Sequence, residues 1–145
     1  EPNIKKNDII YLNNLMINNN SEIGTLAAEI KDYKILNNKN VVKVITKNNL
    51  DGKNFSLALN FTRKDLSKDY QNIYHHIGIY SYKVSALEKF VSLTQTNNEI
   101  ENKLEQLRAL DNKMKIDVAL VKSSPIGVDT EEDYIAIKKI MEYKQ

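Results

Sequence analysis

The sequence contains no cysteine, which excludes a disulfide framework, a thiolate metal site and a cysteine nucleophile together. Any bound metal would rest on oxygen or imidazole ligands. Only two prolines and four glycines occur among 145 residues, so no Pro-rich linker divides the chain and no glycine-rich phosphate loop is present. Ser-His-Asp spacing and HExxH are missing as well, which removes the usual hydrolase fingerprints. No apolar run approaches the roughly 20 residues that cross a bilayer, and no signal-peptide pattern opens the chain. Neither sign of charge dominates: 21 Lys and Arg stand against 19 Asp and Glu, a net of +2. That small surplus is scattered, so neither a nucleic-acid groove nor an anionic membrane surface is implied. A soluble, cytoplasmic protein is expected.

What is present describes one ordinary domain with a packed core, since 41% of residues are hydrophobic and 28% charged. The chain opens on Glu1-Pro2 without methionine, which predicts a piece of a longer gene product. Asparagine runs such as Asn18-Asn19-Asn20, Asn37-Asn38 and Asn48-Asn49 read as loop punctuation rather than as a binding tract.

Ile9, Ile10, Leu12, Leu15 and Met16 recur at helical spacing and predict an amphipathic helix. Strands are expected over 24–28, 41–46 and 55–61, the last because Phe55, Leu57, Leu59 and Phe61 alternate with smaller or polar residues. In a further strand His76, Gly78, Tyr80 and Tyr82 share one face while Ile77 and Ile79 share the other. Leu87, Phe90 and Val91 predict a short helix, and Ile100, Leu104, Leu107 and Leu110 the stripe of another. A strand is marked by Ile116, Val118 and Leu120. The final helix has Glu131, Glu132 and Asp133 in its first turn, which suits the positive end of the helix, and is expected to bury Tyr134, Ile137 and Met141. The fold class is α/β, a mixed sheet with flanking helices and antiparallel pairing in the middle.

Asp129 follows a strand and a glycine-containing loop and precedes a helix, a place where carboxylates often face a ligand cleft. It could cap the helix, with Thr130 and Asp133 as an approximate capping box, or bind a hard cation such as Mg2+ beside a second carboxylate. His75 and His76 point to opposite sides of their strand, so only His76 joins Tyr80 and Tyr82 in offering an imidazole and hydroxyls to one ligand. That face could equally be sheet covered by another element. Glu105 could pair with Arg108 three residues on. Arg63 could hold a carboxylate through its guanidinium fork, although a lone arginine is a weak signal.

Three segments carry a family resemblance. His76-Ile77-Gly78-Ile79-Tyr80-Ser81-Tyr82 is similar to an HxGIYxY strand, Leu104-Glu105-Gln106-Leu107-Arg108 to an LEQLR helix, and Gly127-Val128-Asp129-Thr130-Glu131-Glu132-Asp133 to a GVDTxED turn. In this order they resemble the 3-deoxy-manno-octulosonate (KDO) cytidylyltransferases, with weaker matches at Asn40-Val41-Val42-Lys43-Val44 and Phe61-Thr62-Arg63. The resemblance implies the C-terminal part of a nucleotide-diphospho-sugar transferase-like fold and transfer of CMP from CTP to KDO, giving CMP-KDO and pyrophosphate for lipopolysaccharide synthesis. It further implies Mg2+ as cofactor, Asp129 as a metal ligand, and Arg63, His76, Tyr80, Glu105 and Gln106 around the acid sugar.

On the same resemblance, residues 1–145 form a sugar-binding and homodimerising portion. Glu1-Pro2 is similar to the end of a QGDEP segment whose aspartate binds metal. The nucleotide-binding portion, with its ARxxSxRLPGKPL-type segment, is then expected to be absent, and the chain alone inactive. A related acid sugar, amino-KDO or a sialic acid, and a non-catalytic dimerisation or binding module are the alternatives. Lys64-Asp65-Leu66 departs from the Ile-Pro continuation frequent in the family after Arg63.

Overall fold

The computed structural model describes residues 3–66, 71–122, 128 and 131–142. The first helix, α1 (Lys6–Asn19), lays Leu12, Leu15 and Met16 onto the sheet and stops at Asn20, whose left-handed φ of 52° lets its N–H reach the carbonyls of Ile17 and Met16. Ile9 and Ile10, expected inside, are nearly half exposed. Strand β1 (Ile23–Ala28) follows with every residue buried. That pattern belongs to a strand covered on both faces, which is why it reads as an unbroken run of small and apolar side chains. A Cβ at Gly24 would stand 2.5 Å from the Met16 sulfur and 3.1 Å from a Leu12 methyl, so any larger residue here would displace those side chains of α1.

A short helix, α2 (Tyr33–Asn37), is capped by Asp32, whose carboxylate accepts the Lys34 N–H. Three strands come next: β2 (Lys43–Thr46), β3 (Ser56–Thr62) and β4 (Ile73–Tyr82). After α3 (Val84–Ser92), α4 (Asn97–Asn102) and α5 (Gln106–Asp111), strand β5 (Ile116–Val121) completes the sheet, and α6 (Glu131–Glu142) follows. The strands join in the order β1-β4-β2-β3-β5 and close on themselves. Only β1 and β5 run parallel; the other neighbours are antiparallel, as expected for the middle of the chain.

Residues alternate across these strands between two cores. Ile23, Ala27, Ile116, Val118 and Tyr74 face α3 and α5, whereas Leu26, Ala28, Ala119, Val121 and Ile77 face α1. Two bulges decide how sequence periodicity maps onto that alternation. In β3 the pairing steps from Ile45↔Asn60 to Thr46↔Ala58, leaving Leu59 as one extra residue. The phase therefore flips. Ser56 and Ala58 are buried with Phe61, while Leu59 is 55% exposed. The four-residue alternation of Phe55, Leu57, Leu59 and Phe61 is thus corrected, because one inserted residue exchanges the faces beyond it. In β4, Thr25 pairs with Tyr80 but Leu26 with Ile77, so Gly78 and Ile79 are both extra. Two extra residues keep the phase, and the predicted split between the tyrosine face and the isoleucine face holds.

The helices need two further corrections. The stripe of Ile100, Leu104, Leu107 and Leu110 does not lie on one helix, because Lys103 takes a left-handed conformation at φ 53° and ends α4. Leu104 and Leu107 are buried and Ile100 is exposed. In α6 only Ile137 of the expected trio is buried; Tyr134 and Met141 are about half exposed. In α3, Ala86 and Phe90 face inward and Leu87 and Val91 outward.

Candidate functional site

The face of β4 that packs on α3 carries a run of rings. Phe61 meets His76 edge-on at 5.0 Å between centroids, His76 meets Tyr80 at 5.5 Å, Tyr80 meets Tyr82 at 6.0 Å and Tyr82 meets Phe90 at 6.0 Å. These separations lie within the range of favourable aromatic contacts. The row leads from Phe61 on β3 across β4 to Phe90 on α3, so His76 and Tyr80 are set by packing from several elements.

His76 is buried, and burial, with a smaller effect from His75, pushes its imidazole down to about 3. At neutral pH the ring carries no charge. Its Nε2 lies 3.0 Å from the Thr25 hydroxyl on β1. Tyr80 points its hydroxyl into a place where, among the described residues, the oxygen has neither solvent nor a hydrogen-bond partner. Burial holds the phenol well above its ordinary pKa, and the neighbouring Tyr82 and Glu105 push the same way. Buried polar atoms are normally satisfied, so an orphan hydroxyl of this kind is a group that a ligand can complete.

Glu105 and Gln106 stand at the start of α5, anchored by buried Leu104 and Leu107 on either side. Glu105 is exposed, close enough to Tyr80 and Tyr82 to raise both phenols. Its expected partner Arg108 lies 3.6 Å away. The stronger contact of Arg108 is one that the sequence reading missed: it grips Glu99 with two bonds of 2.6 and 2.8 Å, and stacks over Phe90 at 4.8 Å. The guanidinium fork holds the Glu99 carboxyl down at about 2. A signal for Glu99 was present, since Thr96 and Glu99 have capping-box spacing and form that box at the head of α4. Between α4 and α5 a groove of about 410 Å³ is lined by Glu99, Lys103, Glu105 and Arg108 among others. It opens on Glu105 but not on His76 or Tyr80.

Arg63 follows β3, and its guanidinium donates to the Asn40 carbonyl at 2.6 Å. Its backbone is fixed by a second residue missed from sequence, Lys43, which is fully buried and donates to the carbonyls of Asn38 and Arg63 at 3.0 and 3.1 Å. Burial draws the Lys43 ammonium below its usual pKa; Asp65 opposes that and Arg63 adds to it. A lysine inside the run Val41, Val42, Val44, Ile45 was the available hint. The structure therefore gathers His76, Tyr80 and Glu105, has Gln106 half-buried at the first position of α5, and leaves Arg63 tied to the loop at Asn40. Asp129 and the Thr130 side of its capping alternative lie outside the described residues. Among the described residues no group of three or more His, Asp and Glu side chains could hold a metal ion. No described helix is long and apolar enough to cross a membrane.

A cytidylyltransferase family model matches residues 1–116. The chain is 44% identical over 140 residues to the 3-deoxy-manno-octulosonate cytidylyltransferase of Bartonella bacilliformis, a match covering 97% of the chain and 57% of that relative. It is 41% identical over 140 residues to the enzyme of that name from Bartonella quintana, with the same coverage of each. To that from Brucella ovis it is 46% identical over 113 residues, covering 78% of the chain and 45% of the relative. The chain thus spans about half the length of these curated relatives. Among solved structures, CMP:2-keto-3-deoxy-manno-octonic acid synthetase complexed with CTP superposes with a TM-score of 0.84 at 24% identity, over the whole chain and 59% of that structure. This likeness shows the fold, the mixed α/β sheet with flanking helices expected from sequence.

Proposed function

Because the chain belongs to the cytidylyltransferase family, we propose that it supplies the acid-sugar side of an enzyme that transfers CMP from CTP to KDO, releasing pyrophosphate. One observation carries the reading: a neutral imidazole and an orphan phenol hydroxyl lie side by side on β4, with the Glu105 carboxylate near the phenol. Together they offer a polyhydroxylated ligand both acceptors and donors, set in a wall of rings. A positioned sugar is what the chemistry requires. When an anomeric hydroxyl attacks the α-phosphate, most of the rate comes from orientation and charge neutralisation, with little covalent work for side chains.

In this reading His76, Tyr80, Glu105 and Gln106 fix sugar hydroxyls, and Arg63 takes the sugar carboxylate through its guanidinium fork. Arg63 would have to leave the Asn40 carbonyl to do so. Mg2+ is the proposed cofactor, with Asp129 as the ligand from this chain. Such an ion supplies neutralisation of phosphate charge. The CTP contacts are assigned to a segment other than the His76–Tyr80 face. The product serves lipopolysaccharide synthesis, and the protein works in the cytoplasm as a homodimer joined through the outward face of α3, where Val84, Leu87 and Val91 are exposed.

Calorimetric titration of the chain with KDO tests the sugar-binding half of this proposal. Binding of KDO in preference to a neutral hexose, weakened about tenfold by Tyr80→Phe, is the expected result. Absence of KDO binding at millimolar concentration would remove the reading and leave a non-catalytic module.

A further inference from the structure

Thr25 sits in the middle of β1, opposite the bulge of β4, and is fully buried. Three polar atoms lie within hydrogen-bond reach of its hydroxyl: the carbonyl of Ile79 at 2.7 Å, the carbonyl of Ile77 at 3.3 Å and Nε2 of His76 at 3.0 Å. A hydroxyl has one proton to give. Carbonyl oxygens can only accept, so the proton goes to the nearer of them, Ile79. Turning it to His76 instead would leave two oxygens 2.7 Å apart with no hydrogen between them. Toward His76 the hydroxyl therefore presents a lone pair, and the proton in that contact belongs to Nε2.

We propose that Thr25 is a positioning residue that holds His76 in its Nε2–H tautomer, leaving Nδ1 as the ring's acceptor, so that His76 reads a ligand hydroxyl rather than a ligand carboxylate. The bulge makes this possible, because the pairing of β1 with β4 steps there from Thr25↔Tyr80 to Leu26↔Ile77. That step brings two carbonyls and the imidazole around one side chain. The buried ring takes up no second proton at neutral pH, so it cannot turn into a cation that would attract a carboxylate. Fixing the hydrogen bond of one ring nitrogen in this way fixes the role left to the other. The ligand half of the inference rests on the sugar-binding reading above; the tautomer half does not.

Long-range proton–nitrogen NMR of the chain labelled with 15N-histidine distinguishes the protonated from the bare ring nitrogen. The expected result is Nε2–H for His76 in the wild type and in Thr25→Ser, and a shift toward Nδ1–H in Thr25→Val. Nδ1–H in the wild type, or a Thr25→Val spectrum identical to it, overturns the inference. Should Thr25→Val fail to fold, the wild type and Thr25→Ser decide alone, Nε2–H in both supporting the assignment and Nδ1–H in either refuting it. KDO titrated into the same proteins should bind about five- to tenfold more weakly to Thr25→Val and unchanged to Thr25→Ser. Equal KDO affinity in Thr25→Val despite an altered tautomer overturns the ligand half. If the wild type binds no KDO, the functional proposal fails while the nitrogen spectra still judge the role of Thr25.

Discussion

Replacing His76 by Gln should flatten the acid limb of the stability curve. The folded imidazole titrates at about 3, against 6.5 for a free ring. Between those values the unfolded chain holds a proton at this position that the native chain lacks. Stability therefore rises with pH through the window and is lost as pH falls below about 6.5. Each unit corresponds to about 1.4 kcal/mol, so at pH 4.5, two units into the window, the wild type has lost roughly 3 kcal/mol on this account alone. That is a large share of the roughly 5–15 kcal/mol that holds a domain together. Glu99, depressed to about 2, loses its contribution as pH falls from about 4.5 toward 2, but it does so in both proteins and cancels in the difference. Gln keeps an N–H for Thr25 and has no titration. Urea unfolding of wild type and His76→Gln at half-unit steps from pH 7 to 4.5, followed by tyrosine fluorescence, gives the two curves. Their difference should fall by about 1.4 kcal/mol per pH unit below pH 6. Parallel curves, or a His76 ring resonance that titrates near 6, would refute the buried, uncharged imidazole.

Three further outcomes are expected. Gly24→Ala should destabilise the chain by about 1–3 kcal/mol because its Cβ meets the Met16 sulfur, and the Gly24→Ala, Met16→Ala double variant should lose less than the sum of the two single changes; additive losses in urea unfolding would contradict the contact. Thr96→Ala should cost about 1 kcal/mol, since the same hydroxyl accepts the Glu99 N–H and donates to Asp111; thermal unfolding indistinguishable from wild type would count against the capping box. Sedimentation over a concentration series should show a dimer that Leu87→Lys on the exposed face of α3 dissociates; a wild-type monomer at tens of micromolar would end the dimer proposal.

Much of the fold was legible because strand and helix faces leave periodic traces. The isoleucine and tyrosine faces of β4 follow directly from alternation, and the His76-to-Tyr82 and Leu104-to-Arg108 segments supplied His76, Tyr80 and Glu105, which the fold brings near one another. Periodicity, though, records only local geometry. Leu59 looks like a core residue until the pairing of β3 with β2 inserts it as an unpaired residue and turns it outward; the identical face pattern in β4 survives because two residues are inserted, not one. The helix from Ile100 to Leu110 breaks at Lys103, which nothing in the apolar spacing marks.

Chemistry at the site divides in the same way. Residue types such as histidine, tyrosine and glutamate were visible in the chain, whereas their electrical state was not. His76 is uncharged because the tertiary fold removes water from around it. Lys43 became a buried clamp only when β2, Asn38 and the end of β3 closed around it. Arg108 is committed first to Glu99, nine residues away, and only weakly to its helix neighbour Glu105. Thr25 reads as one more small residue in an apolar strand until the distant bulge of β4 points two carbonyls and an imidazole at its hydroxyl. Composition and spacing determine which groups the chain can offer. Desolvation and hydrogen-bond direction depend on atoms brought together from distant segments, so they were decided by the tertiary structure alone.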